Sequence, residues 1–271
     1  PQLRKMEMKT LDFFASHPVF SLEEATEALA PDGGRSGTLN RLKYHLKAGR
    51  LKPVCRGVYA VVPPAMPVDR FLPDPIFVAA AVQPDGVFSH HSALELLGVA
   101  HSMWQQCTLY GPKRRRLLAL NGASVRFIEH PACFRGRTGL LGVRKIERQG
   151  RLLQTTGPER TLVEGFYRLS LVGGAEELVR SASGLAVLDL DFLEKVLKRY
   201  DIANLWAATG WFLERFQKTF HVPDVMLARM ERRRPRSKQY LERGRRGGIL
   251  AKRWNLILPK EVFELGEPDE R

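Results

Sequence analysis

The stretch that most constrains the fold runs over residues 34–62, where a short helix is followed at once by a tight β-hairpin. Leu39, Leu42 and Leu46 recur at helical spacing and predict one buried helix face. Gly49 is expected to end this helix in a left-handed turn. Two β-rich runs around an Arg-Gly dipeptide predict the hairpin. A polar, basic helix followed by a basic-tipped hairpin is the layout of a recognition helix and its wing.

Two further helices are expected before this stretch. Residues 6–16 predict the first, and a capping box formed by Ser21 and Glu24 opens the second. Ser36 or Thr38 is expected to cap the third helix. The order helix, helix, turn, helix, hairpin is the pattern of a winged helix-turn-helix.

The outer face of the third helix and the hairpin carries polar and basic side chains that we expect to contact double-stranded DNA. Arg and Asn can form paired hydrogen bonds with guanine and adenine edges, whereas Lys and Ser mainly position phosphates. The alternative is a winged helix used for protein contact, with a solvated basic face. The candidate DNA contacts are Arg35, Ser36, Thr38, Asn40, Arg41, Lys43, Tyr44, Lys47, Arg50, Lys52 and Arg56.

The charge of the chain points to a polyanionic partner. It contains 43 Lys and Arg against 29 Asp and Glu, a net charge of +14, and such an excess favours polyanions through counterion release and steering. Much of the excess lies in residues 229–253, where we expect a second basic surface for DNA or RNA; a solvated loop and helix face is the alternative. The residues of this second basic surface are Arg232, Arg233, Arg234, Arg236, Lys238, Arg243, Arg245 and Arg246.

Composition divides the chain into two expected domains of an α+β protein. The N-terminal winged helix-turn-helix covers residues 1–62, and a Pro-rich linker covers residues 63–69. A larger mixed α/β domain then covers residues 70–271 and contains the basic C-terminal segment. Short β-rich runs between residues 107 and 146 predict a sheet in this domain. Helices are expected after it, and Thr156 is expected to cap the first of them.

Several classes of site and location are not expected. Three cysteines without a CxxC pair indicate neither a disulfide framework nor a zinc site, and no glycine-rich nucleotide motif indicates a cofactor. Adjacent His90 and His91 on a helix would point about 100° apart and not share one metal ion; Ser89 or Ser92 is expected to cap that helix. No apolar run reaches the roughly 20 residues that span a bilayer, and the first residues do not resemble a secretory signal. We therefore expect no metal, no cofactor, no membrane contact and a cytoplasmic location.

One segment imitates a nucleotidyltransferase signature. In that signature two carboxylates one residue apart on a strand hold metal ions for phosphoryl transfer, and Asp189 and Asp191 follow a Gly-Gly pair here. The intervening fourteen residues are slightly too many, and no third carboxylate on a following strand is evident. The preferred interpretation is that Asp191 caps a helix and Asp189 ends the preceding turn. We therefore expect no enzyme, with a nucleotidyltransferase-type enzyme using Asp189 and Asp191 as one alternative.

Four motifs, RGVYAVV, SHHSALELLGV, TTGPERTLVEGFYRL and WNLILP, together resemble the AbiEi family of type IV antitoxins, over residues 11–259. The resemblance implies a two-domain protein encoded beside a toxin gene. It implies that the N-terminal domain binds inverted repeats in its own promoter and represses the operon. It also implies that the C-terminal domain counters a nucleotidyltransferase-like toxin without forming a stable complex, and residues 229–253 could be the part that opposes this toxin. A winged-helix transcription factor whose second domain binds a small molecule is the other alternative.

Overall fold

A computed structural model of the chain describes residues 2–29, 33–111, 117–242, 244 and 247–265. It confirms the expected α+β class. In the described residues no helix combines the length and the apolar character that crossing a membrane requires. The helices are α1 (Gln2–Ser16), α2 (Leu22–Leu29), α3 (Gly34–Lys47), α4 (Pro75–Val82), α5 (His91–Leu96), α6 (Pro158–Tyr167), α7 (Ala175–Ser183), α8 (Leu190–Tyr200), α9 (Ala203–Arg215), α10 (Asp224–Glu231) and α11 (Lys260–Phe263). The strands are β1 (Val19–Ser21), β2 (Leu51–Cys55), β3 (Val58–Val61), β4 (Val87–Phe88), β5 (Gln106–Tyr110), β6 (Leu117–Leu120), β7 (Ala123–Ile128), β8 (Val143–Arg148), β9 (Arg151–Thr156), β10 (Gln239–Tyr240), β11 (Ile249–Ala251) and β12 (Leu256–Leu258).

The chain forms two compact units that alternate along the sequence. Unit 1 comprises Pro1–Gly86, Gln105–Ile128 and Glu147–Leu153; unit 2 comprises Val87–Trp104, Glu129–Ile146 and Gln154–Arg271. Neither unit begins or ends at residue 62 or 70. The boundaries of the compact units therefore differ from the domain boundaries predicted from composition. The functional division at those residues stays a prediction.

The N-terminal part of unit 1 is a group of three helices with a three-stranded sheet. Strand β3 lies in the middle of this sheet and pairs antiparallel with both β1 and β2. Phe13, Phe14 and Phe20 form an aromatic cluster with ring centroids 5.1 to 6.1 Å apart. These rings are buried together with Leu42 of α3 and Leu51 of β2. Burial of such large apolar side chains is the main force that holds the helices to the sheet.

Short-range signals set the ends of α2 and α3. The predicted capping box is confirmed, because the Ser21 amide donates to Glu24 Oε2 (2.7 Å) and the Glu24 amide donates to Ser21 Oγ (3.1 Å). Gly49 has a φ of 68° just after α3 and confirms the predicted left-handed stop. The predicted cap of α3 by Ser36 or Thr38 is wrong. The N-cap is Gly33, and no side chain caps the helix.

The rest of unit 1 contains α4 and a group of three strands. Strand β7 pairs parallel with β5 and antiparallel with β6. The apolar helix α4 begins after Asp74, whose carboxylate accepts a hydrogen bond from the Ile76 amide at 2.8 Å. Its residues from Ile76 to Ala81 are all buried, as expected for a helix without a polar face.

Unit 2 is built around two strand–helix pairs and a helical core. Strand β4 pairs parallel with β9, and α5 and α6 follow them respectively. Helix α6 is buried along almost its whole length, and Trp206 and Trp254 are among the largest buried side chains around it. A small sheet in the order β10-β12-β11 lies near the C-terminus. Two predicted caps are wrong here, because the N-cap of α5 is His90 rather than a serine and that of α6 is Gly157.

Candidate nucleic-acid interface

Most of the candidate side chains on α3 are exposed. Ser36, Asn40, Lys43 and Lys47 recur three or four residues apart, so they lie along one stripe of the helix. Tyr44 borders this stripe and is 58% exposed. The surface that α3 offers to a partner is therefore polar, positively charged and carries one aromatic ring.

The opposite side of α3 anchors the helix to its neighbours. Thr38, Leu42 and His45 are buried, and the His45 ring packs edge-on against Phe14 with centroids 4.9 Å apart. Thr38 Oγ1 donates to the Gly34 carbonyl within the helix at 3.1 Å. The expectation that Thr38 contacts DNA is therefore wrong, because its side chain has no exposed surface.

Two more candidates hold backbone carbonyls instead of extending into solvent. Arg41 is half-buried and its Nη1 donates to the Leu29 carbonyl at the end of α2. Lys52 is half-buried and its Nζ donates to the Phe71 carbonyl at 2.6 Å. We assign Arg41 to fixing the angle between α2 and α3, and Lys52 to fixing the hairpin. The earlier expectation that they contact DNA is not supported by these positions.

Arg35 remains exposed but has an acidic neighbour. Its Nη1 lies 2.9 Å from Glu23 Oε1 of α2, and both side chains are more than 60% exposed. Exposed ion pairs contribute about 0–1 kcal/mol. A phosphate can therefore compete with Glu23 for this guanidinium at little cost.

The hairpin presents two arginines. Arg56 is exposed at its tip, beside Gly57 with a φ of 77°. Arg50 is exposed at the base, and its guanidinium carbon lies 5.9 Å from the centre of the Tyr44 ring on α3. The register of β2 against β3 shifts between Pro53 and Cys55, and such bulges increase the local twist of a hairpin. Helix α3 and the hairpin thus form one continuous basic surface, here called the α3–hairpin surface, of Arg35, Ser36, Asn40, Lys43, Tyr44, Lys47, Arg50 and Arg56.

The second basic surface is only partly available in the described residues. Arg232, Arg236 and Lys238 are exposed. Arg233 lies over the Trp206 ring at 5.0 Å, and Arg234 donates to Glu231 Oε1 at 2.6 Å. Three predicted members, Arg243, Arg245 and Arg246, lie outside the described residues.

Asp189 and Asp191 occupy the start of a helix. Asp189 is the N-cap of α8, and its Oδ1 accepts a hydrogen bond from the Phe192 amide at 2.9 Å. The expectation that Asp191 is the cap is therefore wrong by two residues; Asp191 lies in the first turn. Neither residue lies on a strand, so the paired-carboxylate arrangement of a nucleotidyltransferase strand is not formed at these positions.

Unit 2 also contains a buried polar cluster around Arg160. The guanidinium of Arg160 donates to Glu164 Oε1 (2.6 Å), to the Gly139 carbonyl (2.7 Å) and to His130 Nδ1 (3.2 Å). Its carbon atom also lies 4.2 Å from the centre of the Phe134 ring. Arg160 and Glu164 have no exposed surface. A substrate cannot reach this pair, and we interpret it as a structural node.

His90 and His91 are both fully buried. Burial, followed by the positive charges of Arg168 and Arg160, lowers the pKa of His90 to about 3. His91 stacks on Trp104 with centroids 4.6 Å apart, and its Nε2 lies 3.3 Å from Glu177. Within the described part of the chain, no group of three or more His, Cys, Asp or Glu side chains is arranged to hold a metal ion.

The fold has a relative among solved structures. The chain is similar to the crystal structure of the RV2827C protein from Mycobacterium tuberculosis, with 17% sequence identity and a TM-score of 0.63. The similarity covers 96% of this chain and 92% of that chain, and at this identity it concerns the fold alone. No family model matches the chain, and no curated protein matches it.

Two arginines from later in the chain hold elements of unit 1 together, and no sequence pattern predicted them. Arg151 of β9 donates to the Val19 carbonyl and to Glu24, and Arg148 forms an ion pair with Asp74 at 2.9 Å. No local pattern marks either arginine, because each partner lies more than 70 residues away in the sequence.

Proposed function

We propose that residues 2–61 form a winged helix-turn-helix that binds double-stranded DNA, with α3 as its recognition helix and β2–β3 as its wing. The order of helices and strands and the central position of β3 in the sheet support this assignment. The observation that carries it is the α3–hairpin surface. One face of α3 is buried on α1 and α2, whereas the other holds amide, hydroxyl, ammonium and phenol groups in solvent.

The division of work on this surface follows from side-chain chemistry. Asn40 lies in the middle of the exposed stripe, and an amide can form paired hydrogen bonds with adenine in the major groove. Lys43 and Lys47 carry compact charges that suit phosphate oxygens. Arg56 at the tip of the wing suits a phosphate or the minor groove.

We further propose that the protein represses its own operon from inverted repeats in the promoter and is the antitoxin of a type IV pair, acting in the cytoplasm against a nucleotidyltransferase-like toxin without a stable complex. This part is supported by the resemblance to AbiEi antitoxins. The motifs that carry the resemblance form β3, α5, α6 and β12, and most of their residues are buried. The motifs therefore indicate a core shared with AbiEi antitoxins more than a shared surface.

Repression is tested with a reporter gene placed behind the DNA upstream of this gene. The full chain is expected to lower expression of the reporter, and Asn40→Ala with Lys43→Ala is expected to restore it. Lys9→Ala is the matched control, because Lys9 is an exposed lysine on α1. Full repression by the Asn40/Lys43 variant would show that α3 does not read the promoter.

Antitoxicity is tested by expressing the neighbouring gene with and without this chain. Growth arrest by the neighbour alone and rescue by the full chain are expected. The Asn40/Lys43 variant is expected to rescue as well as the native chain when both are expressed from a foreign promoter. Failure of the native chain to rescue would leave a DNA-binding regulator without an antitoxin role.

A further inference from the structure

A cleft in unit 2 is lined by three arginines that follow one another at every second position. It has a volume of about 520 Å³ and lies between the end of α10 and the turn before β12. The cleft is open to solvent on one side rather than enclosed. The lining residues are Ala228, Glu231, Arg232, Arg234, Pro235, Arg236 and Asn255.

The acidic residue of the cleft is already neutralised by the protein. Glu231 Oε1 accepts from Arg234 Nη1 at 2.6 Å, and Glu231 Oε2 accepts from Arg253 Nε at 2.9 Å. Arg253 Nη1 also donates to Glu214 Oε1 at 2.7 Å. These two arginines and two glutamates carry no net charge as a group.

Two positive charges are left over. Arg232 and Arg236 are exposed and form no ion pair with any residue in the described part of the chain. Their neighbour Arg233 turns to the Trp206 ring at 5.0 Å instead. The cleft therefore presents two guanidinium groups, each with a fork of donors suited to phosphate oxygens.

The backbone that carries these arginines is held in place without a ligand. The side-chain Nδ2 of Asn255 donates to the Pro235 carbonyl at 2.8 Å, and the Asn255 backbone is in a left-handed turn with a φ of 49°. Pro235 is buried, and Arg234 also donates to the Arg253 carbonyl. A rigid backbone reduces the entropy that binding must overcome.

We propose that this cleft binds a polyphosphate group, such as the triphosphate of a nucleotide or of a nucleic-acid end. The exposed guanidinium groups of Arg232 and Arg236 match a ligand with several charges on adjacent phosphates better than a single phosphodiester. The seven lining residues form a compact patch, which suits a terminal group better than the side of a duplex, because a duplex contacts a protein along an extended surface. This proposal does not depend on DNA binding by α3, which involves other residues.

The test is calorimetric titration of the full chain with inorganic tripolyphosphate at 150 mM salt. We expect one site per chain, and at least a tenfold weaker affinity for Arg232→Ala combined with Arg236→Ala. Arg232→Lys with Arg236→Lys should recover part of the affinity, because it keeps the charge but loses the forked donors. Lys195→Ala is the matched control, since Lys195 is an exposed cation on α8 and its loss should change the affinity less than twofold.

Two competition arms distinguish the sources of the group. Displacement by ATP alone would point to a free nucleotide, and displacement only by an oligonucleotide with a 5′-triphosphate would point to a nucleic-acid end; either supports the proposal. The absence of tripolyphosphate binding, or equal weakening by Lys195→Ala and the double variant, would overturn it. So would a duplex without terminal phosphates that binds tenfold more weakly to the double variant and displaces tripolyphosphate.

Discussion

The guanidinium of Arg151 binds the carboxylate of Glu24, the residue that closes the capping box at the start of α2. A second nitrogen of Arg151 donates to the Val19 carbonyl of β1. Both side chains of the pair are largely buried. The first residue of β9 therefore fixes the entry to the proposed helix-turn-helix, although it lies 127 residues further along the chain.

Arg151→Ala is expected to lower the stability of the N-terminal helices, because Glu24 and the Val19 carbonyl would both lose a charged donor. The expected cost is about 1–3 kcal/mol. Thermal unfolding of the full chain measures it, with Arg56→Ala as the control because Arg56 is exposed at the hairpin tip. Equal melting temperatures for the two variants would show that the Arg151–Glu24 contact does not stabilise the fold.

Two glycine substitutions are expected to act in opposite directions. A Cβ on Gly210 in α9 would lie 2.2 Å from the Trp254 ring, so Gly210→Ala requires the buried indole to move. A Cβ on Gly37 in α3 would meet no atom within 4 Å. Gly37→Ala should therefore stabilise the helix by about 0.5–1 kcal/mol, whereas Gly210→Ala should cost about 1–3 kcal/mol. Denaturant unfolding of both variants measures the change in the free energy of unfolding. A stabilised Gly210→Ala protein would contradict the packing of α9 on Trp254.

Acidification is expected to destabilise unit 2 through His90, which is buried, and His130, which is half-buried. Burial and the Arg160 charge lower the pKa of His130 to about 4 from the ordinary 6.5, and the pKa of His90 is lowered further. Between these values and 6.5 the unfolded chain binds more protons than the folded chain, so stability falls as the pH is lowered through this window and is unaffected by these groups above it.

The His130 contribution is measured by unfolding between pH 4.5 and 7.5. His130→Gln is expected to flatten the pH dependence, because glutamine can accept a hydrogen bond from Arg160 without titrating. His101→Gln, which replaces an exposed histidine, should leave the slope nearly unchanged. A His130→Gln protein with the native slope would show that His130 titrates equally in both states.

Substitutions of Asp189 and Asp191 distinguish a structural role of these residues from a catalytic one. Asp189→Ala removes the cap of α8 and should cost about 1 kcal/mol, while Asp191→Ala in the exposed first turn should cost less. Neither substitution is expected to change any nucleotide transfer to tRNA in the presence of Mg²⁺. Transfer by the native chain that disappears in Asp189→Asn would support the enzyme alternative instead.

The sequence predicted features that depend on neighbouring residues. The Ser21–Glu24 capping box, the glycine stop at Gly49 and the hairpin turn at Gly57 each need only a few consecutive residues. Caps were less predictable, because Thr156 and Gly157 are adjacent and the backbone angles decide which one is the cap.

Side chains with distant partners escaped prediction. Arginine is a residue type that often contacts bases, but the partner of Arg41 is the Leu29 carbonyl. Lys52 likewise donates to a carbonyl 19 residues away. A long cationic side chain reaches a carbonyl or a phosphate equally well, so only the three-dimensional position of the acceptor decides between a supporting and a contacting role.

The most direct measurement of the central claim is binding of the full chain to a duplex from the region upstream of its gene, titrated at several salt concentrations. Asn40→Ala should weaken binding to this duplex by about 1–3 kcal/mol and leave binding to an unrelated duplex unchanged. Lys43→Ala should weaken binding to both duplexes and lower the salt dependence of the affinity by about 1 in slope. Lys9→Ala should behave as the native chain. The assignment of α3 as the recognition helix would be contradicted if Asn40→Ala bound each duplex as tightly as the native chain and Lys43→Ala kept the native salt slope.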